Sequence, residues 1–107
     1  MVKLTHLLQE DYEVFISVLK VYLHHLKEAE KSSVNLVYMS IAETVELSLN
    51  REKKFNISTL NFQYFTKHSA TVFCCAILFY LGYPERNQTK DVFLRKIATN
   101  IITQLKK

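Results

Sequence analysis

The sequence predicts an all-α protein: a four-helix bundle or a closely related small helical array, with up-and-down connectivity favoured. Three observations support this fold class. The 107 residues include one glycine and one proline, so few positions suit sharp turns. Apolar residues recur at helical spacing along most of the chain. Three capping residues, Ser58, Gly82 and Thr89, stand where periodic segments begin or end.

Length and composition predict a single helical domain over residues 1–107. Hydrophobic residues make up 49% of the chain, enough for a core and more than a disordered chain carries. The most apolar stretch, residues 70–83, is shorter than the ~20 residues that a membrane-spanning helix needs. The adjacent Cys74 and Cys75 lie in it, and we expect buried free thiols. Free thiols are typical of a reducing compartment, which predicts a cytoplasmic protein.

The first predicted helix covers residues 4–31. Its apolar residues recur at alternating steps of four and three, which places them on one helix face. This stripe consists of Leu8, Tyr12, Phe15, Leu19, Tyr22 and Leu26. Further apolar residues on both sides widen the stripe, which predicts contact with more than one neighbouring helix.

The second predicted helix covers residues 34–50, with Ser32 and Ser33 as candidate N-caps. Its inward face is predicted from the same spacing. That face consists of Val34, Val37, Tyr38, Ile41, Val45 and Leu49. Residues 51–56 show no apolar period and are predicted to form the main loop.

The third predicted helix covers residues 59–81, with Ser58 as its N-cap and a break near Lys67 as an alternative. Beyond Ser69 the segment is apolar on nearly every side, which indicates a surrounded helix. It is therefore either the central element of the fold or the seam of a homodimer. Gly82 in a left-handed capping conformation, followed by Pro84, is predicted to end it.

The fourth predicted helix is capped by Thr89 and runs to the end of the chain. Asp91 in its first turn and two terminal lysines complement the helix dipole. The inward residues are predicted to be Phe93, Leu94, Ile97, Ala98, Ile101 and Leu105.

The sequence contains no motif that predicts a catalytic residue, a cofactor or a metal. Nucleotide-binding loops need several glycines at fixed spacing, and the chain has one. The Glu-x-x-His pattern of di-iron bundles is absent. His24 and Glu28 are four residues apart, but such pairs arise freely on exposed helix faces. We therefore expect a protein without enzymatic activity, and a small enzyme or metal binder is the third interpretation.

An excess of apolar surface favours a protein–protein interaction module, because exposed apolar patches usually mark interfaces. The expected partner is a second copy of the chain in a twofold homodimer, and another protein is the alternative partner. The third helix supplies the candidate interface, which consists of Val72, Phe73, Ala76, Phe79 and Tyr80. The competing interpretation is a compact monomer that uses this surface internally.

The alternative function is DNA binding through a basic loop and the adjacent helix. The formal net charge is +4, and lysine and arginine side chains are what phosphate contacts require. The candidate contact residues are Arg51, Lys53, Lys54, Lys67, Arg86 and Lys90. Acidic residues interleave with these positions, which weakens the prediction.

Overall fold

The structure, a computed structural model, describes residues 1–55 and 62–107, with the backbone alone at residue 55 and residues 62–64. Four helices pack against one another, which confirms the predicted all-α class. The α-helices and the strands are β1 (Val2–Thr5), α1 (Gln9–Glu28), α2 (Ser33–Phe55), β2 (Phe62–Phe65), α3 (Lys67–Leu81) and α4 (Asp91–Leu105). A short 3₁₀ turn, Gln88–Lys90, leads into α4.

Aromatic contacts fix the direction of α3 relative to α1. The Phe73 ring lies 5.1 Å from the Phe15 ring, and the Phe79 ring lies 5.8 Å from the Tyr22 ring, centroid to centroid. Residues later in α1 thus contact residues later in α3, so these two helices run parallel. The short α1–α2 and α3–α4 connections reverse the direction of the chain. The predicted up-and-down arrangement is confirmed. We call the end where α1 and α3 begin the lower end, and the opposite one the upper end.

Helix α3 is the central element of the fold, which is one of the two alternatives that its apolar character predicted. It packs against each of the other three helices, and its Cys74 thiol donates a hydrogen bond to the Ala98 carbonyl of α4 at 4.0 Å. Seven of its side chains are buried: Ala70, Val72, Phe73, Cys74, Ala76, Ile77 and Tyr80. The protein's own helices thus cover most of the segment.

The two strands were not predicted, and they correct the start of the first and third predicted helices. They pair antiparallel, with Val2 opposite Phe65 and Thr5 opposite Phe62. Burial alternates along β1, since Val2 and Leu4 are buried and their neighbours are exposed. Four residues are too few to show this period in a sequence, and the pairing joins segments far apart in the chain.

The predicted loop at residues 51–56 is also wrong where the structure describes it, because α2 continues to Phe55. Helix-favouring residues fill this stretch, and the Lys53 ammonium forms an ion pair with the Glu13 carboxylate of α1 at 3.1 Å. Helix α3 begins at Lys67, where the alternative break was placed. The predicted cap Ser58 and helix start at residue 59 lie outside the described residues.

The caps agree with the predictions only in part. The Ser32 hydroxyl accepts the Asn35 N–H at 3.1 Å, which confirms Ser32 as a cap of α2. Gly82 ends α3 with φ −91°, so the predicted left-handed conformation is wrong. Asn87, rather than Thr89, accepts the capping bond before α4, from the Thr89 N–H at 3.1 Å.

Most residues predicted to face inward do so, with three exceptions. Leu8 precedes α1 and is exposed, and Val34 and Val37 on α2 are exposed as well. Buried residues of α2 begin only at Ala42, so the first two turns of that helix carry exposed or half-buried side chains. This leaves apolar surface at the upper end of the molecule.

Candidate functional site

A groove of about 400 Å³ lies between α1 and the upper end of α3. We call it the Phe79 groove. Its lining residues are Lys20, Val21, His24, His25, Glu28, Phe79 and Tyr83. A larger hollow of about 500 Å³ is bounded only by residues 8, 9, 10 and 13, around the start of α1, and is therefore less enclosed by the fold.

Stacked rings build the apolar wall of the Phe79 groove. The His25 and Phe79 rings stack with centroids 4.3 Å apart and planes 26° apart. Tyr83 continues the wall, with its ring centroid 6.4 Å from that of Phe79. Phe79 is held from behind by Tyr22, so its ring is anchored in the core while its outer part remains accessible. Such a wall can hold an apolar or aromatic side chain.

Charged side chains form the rim of the groove on α1. Lys20, His24 and Glu28 follow one another at intervals of four residues, so they form one ridge along the helix. All three are exposed. Within the described parts of the chain, neither Lys20 nor Glu28 has an ion-pair partner. The rim therefore presents a positive and a negative group on either side of His24.

The residues predicted to form an interface are mostly occupied within the chain. Val72, Phe73, Ala76 and Tyr80 are buried against the other helices, and the Tyr80 hydroxyl accepts the Asn87 N–H at 3.1 Å. Phe79 alone of the five is half-buried and lines the groove. The available contact surface is thus displaced from the middle of α3 to its upper end.

The six predicted DNA-contact residues do not form one patch. Arg51, Lys53, Lys54 and Lys67 lie toward the lower end, near the end of α2 and the start of α3. Arg86 and Lys90 lie at the upper end, one helix length away: about 22 Å for the 15 residues of α3. Two of the six are engaged in ion pairs, Lys53 with Glu13 and Arg86 with Asp91 at 3.0 Å.

The two cysteines are free thiols whose surroundings disfavour the thiolate form. Cys74 is buried and Cys75 is half-buried. Burial raises the pKa of both thiols, and the neighbouring Cys75 raises that of Cys74 further. Because the thiolate is the reactive form, neither residue has the environment of a catalytic cysteine.

Histidines and acids of the described residues do not converge on a metal site. No group of three or more His, Cys, Asp or Glu side chains in residues 1–55 and 62–107 is arranged to hold an ion. His24 and Glu28 therefore form part of the groove rim rather than an evident ligand set.

Sequence patterns did not reveal the Phe79 groove as a site. The spacing of His24 and Glu28 predicts only an exposed pair, because nothing local in the sequence links α1 to the end of α3. The feature of the sequence that pointed to this groove was the pair Val21 and His25, which lie four residues apart on α1. They continue its apolar face beyond the width that contact with one helix needs.

Comparisons with known protein families, with curated proteins and with solved structures found no match to this chain. In the described part of the chain, every helix is too short or too polar to cross a membrane.

Proposed function

We propose that this protein is a non-enzymatic interaction module that associates with itself through the Phe79 groove. The observation that carries the proposal is the accessible aromatic wall of Phe79 and Tyr83 beside a rim that carries the charges of Lys20 and Glu28. Interface centres are typically built from aromatic side chains, with polar groups around them. The groove has this composition.

Exposed apolar side chains elsewhere at the upper end add to the support. Val34 and Val37 on α2 and Leu78 on α3 are each more than half exposed. Single exposed apolar residues need no explanation, but three at the same end of a small protein favour a contact surface there.

Sedimentation velocity over a micromolar to millimolar concentration range tests this proposal. We expect the mass to rise from one chain toward two. The double variant Val21→Ser and Tyr83→Ser should shift the transition to higher concentration, because it removes apolar contact area from the groove. Leu47→Ser, which removes an exposed side chain remote from the groove, is the matched control. A wild-type chain that stays monomeric throughout would overturn the proposal.

A second candidate function, nucleic-acid binding, is supported by basic side chains at the lower end of the molecule. Lys67 and Lys107 line a groove of about 290 Å³ there, and the exposed Arg51 and Lys54 lie on the last turns of α2 toward the same end. Such a cluster favours phosphate contacts. Arg86 and Lys90 lie at the opposite end of the molecule and are not part of this basic surface.

A duplex-DNA shift assay at low and moderate salt tests the second candidate. Lys54→Glu combined with Lys67→Glu should weaken binding and reduce its salt dependence, because two phosphate-contacting charges are lost. Lys27→Glu, a charge reversal near the upper end of α1, is the control. Equal binding by the wild type and the lower-end variant would rule out this surface.

A further inference from the structure

The ridge on the rim of the Phe79 groove is self-complementary. Lys20 lies four residues before His24, and Glu28 lies four residues after it. A twofold axis that passes beside His24 and runs across α1 places each Lys20 opposite a Glu28. Twofold interfaces require this property, because the same surface is used by both subunits.

We propose that the partner in the Phe79 groove is a second copy of the chain, docked antiparallel with His24 beside the twofold axis. This rests on the proposed self-association. Lys20 of each subunit then pairs with Glu28 of the partner subunit. Charge complementarity identifies a second copy of the chain as the partner. Lys20 and Glu28 are both exposed, and neither has an ion-pair partner within the described residues. Each of the two opposite charges lies four residues from His24.

Helix geometry is compatible with this arrangement. Lys20, His24 and Glu28 form a ridge of the i, i+4 type, and each step of four residues advances about 6 Å along the helix. When two helices interdigitate such ridges, their axes cross at about −50°. The ridge of one subunit then enters the space between α1 and Phe79 of the other. There, the aliphatic stem of Lys20 can cover the aromatic wall while its ammonium group reaches the carboxylate.

Charge reversal tests the register of this interface. In a dimer of the Lys20→Glu variant, each pair between the subunits would consist of two acids. In a dimer of the Glu28→Lys variant, each pair would consist of two lysines. We expect each single variant to raise the dimer dissociation constant by about tenfold or more, because attraction becomes repulsion at two symmetric pairs. An equimolar mixture of the two variants should form a heterodimer, since both of its pairs are again of opposite charge. The double variant should regain self-association.

Charge reversals at remote exposed positions are the matched controls: Lys96→Glu for the first variant and Glu43→Lys for the second. Neither control should change the dissociation constant beyond a small effect of net charge. Helix content measured by circular dichroism verifies that every variant is folded, as expected for exposed positions.

Cysteine cross-linking checks the position of the axis independently. In a Cys75→Ser background, His24→Cys places two thiols across the axis, and oxidation should give a covalent dimer. Ser17→Cys, on the same side of α1, places its thiols about 21 Å apart along the helices and should not cross-link.

The outcomes separate this proposal from the proposed function. If the wild-type chain dimerises but the mixed variants fail to form a heterodimer, the twofold arrangement at His24 is wrong while self-association stands. If the wild-type chain remains monomeric at all concentrations, both are wrong.

Discussion

Asp11 is the one charged side chain that is buried among the residues whose side chains the structure describes, and its hydrogen bonds explain why. Its carboxylate accepts the Leu8 N–H at 2.8 Å, and its own N–H donates to the Leu8 carbonyl at 3.0 Å. Leu8 occupies the N-cap position of α1 but has no side-chain acceptor. Asp11 therefore satisfies the helix terminus from its first turn, where the helix dipole also favours a negative charge.

Replacement of Asp11 by alanine should lower the free energy of unfolding by about 1–2 kcal/mol, because the Leu8 N–H loses its partner in a partly buried position. Asp11→Asn retains an acceptor oxygen and should lose less. Glu10→Ala, the exposed acid beside it, should change stability by less than about 0.5 kcal/mol. Urea unfolding midpoints measure all three. Similar losses for Asp11→Ala and Glu10→Ala would contradict a specific capping role.

Gly82 ends α3 without using the conformational freedom of glycine. Its φ is −91°, and a Cβ placed on it would lie 3.6 Å from the Phe79 carbonyl oxygen, an ordinary contact. Gly82→Ala should therefore be neutral or raise stability by up to about 1 kcal/mol, because alanine restricts the unfolded chain. The thermal midpoint is the readout. A loss of more than about 1 kcal/mol would show that the position needs glycine after all.

At the scale of elements, the long helices were predictable and the strands were not. The stripe from Tyr12 to Leu26 repeats often enough to show its period, and the buried face of α4 does the same. A four-residue strand such as β1 offers only two alternations. Its pairing with Phe62–Phe65 depends on a segment some sixty positions away, which no local window contains. The end of α2 was missed because exposed final turns have no apolar period.

The outer edge of β1 is closed by a side chain of α4. The Gln104 amide accepts the Lys3 N–H at 2.8 Å and donates to the Lys3 carbonyl at 2.8 Å, as a neighbouring strand would. Its amide nitrogen also donates to the Asn100 side chain at 2.7 Å, which holds the amide in place. Unpaired strand edges invite association with other chains, so this contact both fixes β1 and protects its edge.

Gln104→Ala should loosen β1 from α4 while the helices remain folded. Two backbone groups lose their partners at an exposed site, so the expected loss is about 1 kcal/mol. Hydrogen exchange should accelerate at the Lys3 amide far more than at amides in the middle of α3. Gln104→Glu is the informative companion, because it keeps the acceptor for the Lys3 N–H and removes the donor to the Lys3 carbonyl. Unchanged hydrogen exchange at Lys3 in both variants would show that the Gln104 amide does not hold β1 against α4.

At the scale of the whole molecule, the candidate site depends on how the helices are arranged. Phe79 follows a segment that is apolar on all sides, so its sequence context is the same as that of buried Phe73. Only the crossing of α1 over the upper end of α3 leaves Phe79 accessible and brings His25 onto its ring. An interface could therefore be predicted for α3, but its location on the surface required the structure.

The core also makes the fold sensitive to alkaline pH. Burial, followed by the proximity of Cys75 and Tyr38, raises the pKa of Tyr22 from 10.0 to about 12. Burial likewise raises the pKa of Tyr12 and of both thiols, whose ordinary value is 9.0. Above pH 9 the unfolded chain releases protons that the folded chain retains. Stability must then fall with rising pH, with the thiols contributing from about pH 9 and Tyr22 between pH 10 and 12.

Tyr22→Phe tests the largest of these contributions, because phenylalanine fills the same space and cannot ionise. At pH 11 the Tyr22 pKa shift alone costs the wild-type fold about 1 kcal/mol relative to neutral pH, and the variant should be spared that loss. Urea unfolding of both proteins at pH 7 and pH 11 gives the comparison, and Cys74→Ala should separately reduce the decline that begins near pH 9. Parallel declines of the wild type and Tyr22→Phe would mean that Tyr22 ionises equally well in the folded and unfolded chains. The packing of α1, α2 and α3 around its ring would then be looser than the structure shows.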